Sequence, residues 1–114
     1  HDGALRDLPL VSGGRSSGAR VACRTAGATG AVGVLCLAFP LHAPGRPEKS
    51  RQAELDAVEV PVLVVQGAKD PFGMPARALG RDVVEVPGSH SLSGDLEAVG
   101  AAVREWLGRV LPGR

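Results

Sequence analysis

Residues 13–18 read GGRSSG. They stand between the apolar run LPLV, residues 8–11, and a segment, residues 17–26, that reads as a helix. Gly14, Ser16 and Gly18 satisfy G-x-S-x-G, the pattern of a serine held in a tight turn between a strand and a helix. Glycine on both flanks lets strand and helix approach closely and leaves the serine hydroxyl above the sheet edge. A chain with 16 glycines meets the pattern by chance in roughly one case in eight. The context therefore decides whether Ser16 is a reactive group or a turn residue capping the next helix.

Outward from this stretch, three more apolar segments follow LPLV: residues 31–39 (AVGVLCLAF), 60–67 (VPVLVVQG) and 82–88 (DVVEVPG). The first two of these are apolar almost without alternation, as strands buried on both faces must be. Helices are predicted over 17–26, 51–57 and 74–79. A last one is predicted from Leu96, with Leu96, Val99, Val103, Trp106 or Leu107, and Val110 on one face and Glu97, Arg104, Glu105 and Arg109 opposite. Asp95 is placed to cap its start and the PGR of 112–114 to stop it. Strand and helix alternate throughout. We therefore expect an α/β fold, a parallel sheet of about four strands with helices on both faces and right-handed crossovers. In such a sheet the chemistry gathers at the carboxyl ends of the strands.

Two residues at such ends follow Ser16 in a telling order. Asp70 lies in GAKDPFG just after the third apolar segment, and His90 in VPGSHSL after the fourth. Serine, acid and histidine, each after a different parallel strand, is the chain order of one class of hydrolytic triad. Asp82 and Asp95 compete with Asp70, but they begin a strand and a helix. A loop aspartate before Pro71 also has a turn-stabilising reading. His42 competes with His90, and its default reading is a solvated loop histidine.

The remaining composition narrows the classes. With 44% apolar and 22% charged residues, the 114-residue chain has the make-up of a folded domain. Its 13 basic and 12 acidic residues are scattered, so no nucleic-acid or anionic-membrane partner is expected. The longest apolar run is far short of the ~20 residues of a membrane helix. No signal-peptide pattern opens the chain, and a soluble, cytoplasmic protein is expected. Cys23 and Cys36 have neither metal-ligand spacing nor the density of a disulfide framework, and read as small buried side chains. Trp106 reads as core, and Arg15 and Arg46 as surface residues or contacts for an anionic substrate.

With GGRSSG, PLHAPGRPEK and KDPFG in hand, the sequence resembles the α/β-hydrolase superfamily, and within it a bacterial branch near the dienelactone hydrolases. The resemblance runs from about Leu8 to the end. It implies Ser16 as nucleophile, Asp70 as acid and His90 as base. It also implies the backbone N–H of Ser17 as one oxyanion donor, a small-molecule acyl substrate, and no metal or cofactor. Dienelactone hydrolases proper carry a cysteine where this chain has Ser16, so lactone specificity is not implied. The resembled fold has further strands ahead of the elbow strand, and their loop supplies the second oxyanion donor. Residues 1–114 are accordingly expected to be the carboxyl-terminal part of a single α/β-hydrolase domain, prone to self-association through an open sheet edge. The function expected is that of a serine esterase or acyl hydrolase; the alternative is a hydrolase-like module or inactive fragment acting through binding.

Overall fold

Valine, leucine and cysteine side chains line the strands of a four-stranded parallel sheet in the computed structural model, which describes residues 10–111. The strands are β1 (Val11–Arg15), β2 (Gly33–Leu37), β3 (Val62–Gly67) and β4 (Arg81–Val86), in the spatial order β1-β2-β3-β4. Their register sets Val11 beside Gly33, Val34 beside Val62 and Val62 beside Arg81. Among the described residues the helices are α1 (Ser17–Thr29), α2 (Gln52–Asp56) and α3 (Leu96–Val110).

Local chemistry explains where the helices begin and end. Gly30, at φ 73°, closes α1 with a left-handed cap whose N–H bonds to Ala26 O and Gly27 O. That cap lets α1 run past the predicted end at residue 26. Asp95 caps α3, its carboxylate accepting from the Ala98 N–H at 2.9 Å.

The sheet divides the core into two layers. Ala19, Ala22, Cys23 and Ala26 of α1 pack with Val34, Cys36, Val62, Val64 and Val83 on one face. Trp106, Val99 and Val103 of α3 pack with Leu63, Val65 and Val86 on the other. The two helices thus cover opposite faces, and the alanines of α1 let its backbone ride close to the sheet.

Four expectations need correction. The elbow strand, expected over residues 8–11, is described as Val11–Arg15 and so carries Gly13 and Gly14, with Gly18 falling in α1; Leu8 and Pro9 lie outside the described residues, as do Pro112, Gly113 and Arg114. The strand predicted over 31–39 narrows to 33–37, and those over 60–67 and 82–88 become 62–67 and 81–86. Only β3 is buried along its whole length. Leu35 and Leu37 of β2 are half-buried, because α3 lies over β3 and β4.

The last correction is that residues 74–79 form no helix. They must carry the chain back along β3, whose six residues span ~20 Å. Six residues cover ~9 Å as helix but ~20 Å when extended. Arg81 fastens the extended path, its Nε donating to Ala76 O at 2.8 Å and its Nη1 to Asp56 Oδ1 at 2.9 Å. Leu79 is left fully exposed, so this segment has no apolar face to bury as a helix would.

Candidate active site

The carboxyl ends of β1, β3 and β4 bring three loops together. Ser16 sits between β1 and α1 with φ 54° and ψ −122°, a backbone conformation that residues other than glycine seldom adopt. Its N–H donates to Leu37 O at 2.9 Å, and its carbonyl accepts from the Ala19 N–H at 2.9 Å. These bonds hold the strained turn in place. Ser16 occupies the N-cap position of α1, but its side chain makes no capping bond to the helix.

Ser16 Oγ instead lies 2.8 Å from His90 Nε2. On the other side of the ring, His90 Nδ1 lies 2.8 Å from Asp70 Oδ2. An ionised carboxylate only accepts, so a neutral His90 carries its proton on Nδ1 and leaves Nε2 to accept from the Ser16 hydroxyl. Asp70 has a side chain only 1% exposed, while that of His90 is 23% exposed. The inner member of the chain is thus shielded and the middle one reachable.

Each member is positioned by its own loop. Asp70 Oδ1 accepts from the Phe72 N–H at 2.8 Å, and the Asp70 carbonyl from the Gly73 N–H at 3.1 Å, so the DPFG turn is wound around the carboxylate that faces His90. Gly67, where β3 ends, has no room for a side chain, since a Cβ there would meet Ser89 O at 2.3 Å. The loop bearing His90 crosses directly over it. Ser17 is the first residue of α1, where amides have no acceptor within the helix.

The competing residues are engaged elsewhere. Asp82 pairs with Arg109 at 3.0 Å and Asp95 caps α3. His42 bonds through Nδ1 with Ala43 O at 2.9 Å and packs against Gly73. Arg15 donates to Ser91 O at 2.7 Å, tying the elbow to the His90 loop, and Arg46 pairs with Glu48 at the surface.

Two supporting side chains escaped the sequence reading. Phe72 stacks on His90, with ring centroids 4.2 Å apart and an interplanar angle of 29°. Gln66 is fully buried; its amide donates to Phe39 O and Gly73 O, both at 2.7 Å, and its oxygen accepts from the Phe39 N–H at 2.9 Å. It locks the loops after β2 and β3 to each other. A polar residue inside the otherwise apolar run VLVVQG was the available signal for it.

Residues 3–92 match the sequence pattern of the alpha/beta hydrolase domain family. The chain belongs to that family. Two solved structures share the fold of this alpha/beta hydrolase domain. One, from Xanthomonas campestris pv. campestris, is described as a hydrolase of the alpha/beta superfamily; it is 23% identical, with a TM-score of 0.70 over 93% of this chain and 61% of its own. The other is an alpha-beta serine hydrolase homologue from Coxiella burnetii, also 23% identical, with a TM-score of 0.59 over 85% of this chain and 49% of its own. The chain thus spans about three fifths of the first and half of the second. No curated protein matches the sequence. Among the described residues, no helix is long and apolar enough to cross a membrane, and no group of three or more His, Cys, Asp or Glu is placed to hold a metal ion.

Proposed function

We propose that this alpha/beta hydrolase domain is a serine hydrolase of the carboxylic-ester type, of a branch similar to the dienelactone hydrolases but with serine as nucleophile. One observation carries the reading: the continuous hydrogen-bond chain from Ser16 Oγ through His90 to the shielded Asp70 carboxylate, 2.8 Å at each step. A hydroxyl is a weak nucleophile until a base takes its proton, and a base is effective when a third group orients it.

In this mechanism Ser16 Oγ attacks the acyl carbonyl of a small ester as its proton passes to His90 Nε2. Asp70 holds the imidazole in the Nδ1–H tautomer and stabilises the imidazolium that forms. The Ser17 N–H, at the positive end of α1, stabilises the developing oxyanion. His90 then protonates the leaving alcohol, and water releases the acyl group by the reverse path. Residues 1–114 are the carboxyl-terminal part of a single hydrolase domain in this reading. The chain covers 61% and 49% of the two structural neighbours, which supports its being one part of a longer domain of this fold.

A fluorophosphonate probe tests it, because only an activated serine attacks such a reagent. The expected result is one modified residue, Ser16, together with cleavage of short acyl esters, both abolished by Ser16→Ala. Absence of labelling from a folded protein, or labelling that survives Ser16→Ala, overturns the proposal.

A further inference from the structure

Between α1 and the sheet the two cysteines meet. Cys23 on α1 and Cys36 on β2 are both buried and free, and their sulfur atoms lie 3.5 Å apart. Cys36 is fully enclosed, whereas Cys23 lines a cavity of about 730 Å³ between α1 and α2, walled by Ala26, Ala53, Ala57 and Val58. One sulfur therefore borders an opening whose lining mixes alanine and valine with the charged Arg24, Glu54 and Glu59, and the other stands directly behind it. From this arrangement we propose that Cys23 and Cys36 form a dithiol site that reduces hydroperoxides, Cys23 taking the oxidant and Cys36 closing an intramolecular disulfide between α1 and β2.

The asymmetry of the pair fits that division of labour. The hydrogen bond between the two sulfurs pulls Cys23 below the ordinary thiol range, while the same bond and burial push Cys36 up. A thiolate, which is the form that attacks, is therefore favoured at the sulfur that lines the cavity over its partner. In the first step the Cys23 thiolate attacks one peroxide oxygen. The O–O bond breaks, Cys23 becomes a sulfenic acid, and the departing alkoxide or hydroxide takes up a proton as alcohol or water. In the second, the Cys36 sulfur attacks the Cys23 sulfur; the S–S bond forms, the S–O bond breaks, and hydroxide leaves as water with the proton from Cys36. Two thiols lose two electrons and the peroxide gains them. Closing to the ~2.05 Å of a disulfide requires the sulfurs to approach by only ~1.5 Å. The neighbours on the helix face, Ala19, Ala22 and Ala26, are small enough to let the side chains turn.

The test uses the full chain, treated with a small excess of hydrogen peroxide under native conditions, then denatured, alkylated and cut with trypsin. Cleavage after Arg24 separates the two cysteines into residues 21–24 and 25–49. The expected result is a disulfide-linked pair of those peptides from a monomeric band, with the intact mass lowered by about 2 Da and restored by dithiothreitol. In Cys36→Ala, Cys23 should stop as a sulfenic acid trapped by dimedone, and in Cys23→Ala dimedone should leave Cys36 unlabelled. Two alkylated cysteines in the peroxide-treated wild type, or disulfides only between copies, overturn the proposal even if neither variant folds. So does dimedone labelling of Cys36 in Cys23→Ala.

Discussion

Gly14 and Gly18 look equivalent in G-x-S-x-G, and their surroundings differ completely. A Cβ on Gly14 would sit 2.3 Å from the Gly18 carbonyl group and 2.7 Å from the Ala19 nitrogen, all backbone that cannot step aside. A Cβ on Gly18 meets nothing within 4 Å. Gly14→Ala should therefore destabilise the fold by roughly 1–3 kcal/mol, as overpacking against a rigid partner does. Gly18→Ala should be neutral or stabilising by up to ~1 kcal/mol, since alanine is the better helix former; urea denaturation of both variants checks this. The second prediction at this scale concerns Phe72. Its stacking restrains the His90 ring, and aromatic contacts of this kind are worth ~0.5–1.5 kcal/mol. If His90 is the base, Phe72→Leu should lower kcat for short esters about 2- to 12-fold with little change in KM, measured by steady-state kinetics beside wild type.

Between elements, the most specific polar tie joins α1 to α2. Arg20 grips Glu54 with two bonds, Nε to Oε1 at 2.9 Å and Nη2 to Oε2 at 2.7 Å. The guanidinium holds the Glu54 carboxyl below the usual carboxylate range in the folded state. The unfolded chain thus binds a proton at this site at higher pH than the folded one. The pair's contribution is complete above the unfolded carboxyl value of ~4.3 and is lost as pH falls through the lower folded value. Both side chains are about a quarter exposed, which limits the effect to roughly 0.5–1 kcal/mol. Glu54→Gln should lower Tm at pH 7 and flatten its decline between about pH 5 and 3, with thermal melts across that range as the readout. An unchanged slope would mean the pair is too well solvated to matter.

At the scale of the whole molecule, β1 pairs only with β2 among the described residues, and the face of β1 and β2 away from α1 is only partly covered. Leu35 and Leu37 are half-buried there and Leu10 is 46% exposed. An unpaired strand edge beside apolar side chains invites a second chain. We therefore predict that the purified 114-residue chain self-associates with rising concentration, and that Leu35→Lys shifts it toward monomer. Sizing with light scattering decides it; a concentration-independent monomer is the opposing outcome.

Much of this protein is written in local order along the chain. Alternating strands and helices imposed a parallel α/β sheet, and the succession of Ser16, Asp70 and His90 after separate strands marked where to look for a site. Both are patterns within short windows, set by side-chain periodicity and turn chemistry. What tertiary structure alone decided involves residues far apart or lengths that must match. The distance back along β3 stretched residues 74–79 into extended chain where local propensity suggested a helix. Loop packing set Phe72 on His90 and Gln66 between two turns. Most plainly, Cys23 and Cys36 carry no recognisable spacing, and only the laying of α1 across β2 places their sulfurs side by side. No short-range rule encodes which faces meet, because that is chosen by burial summed over the whole core.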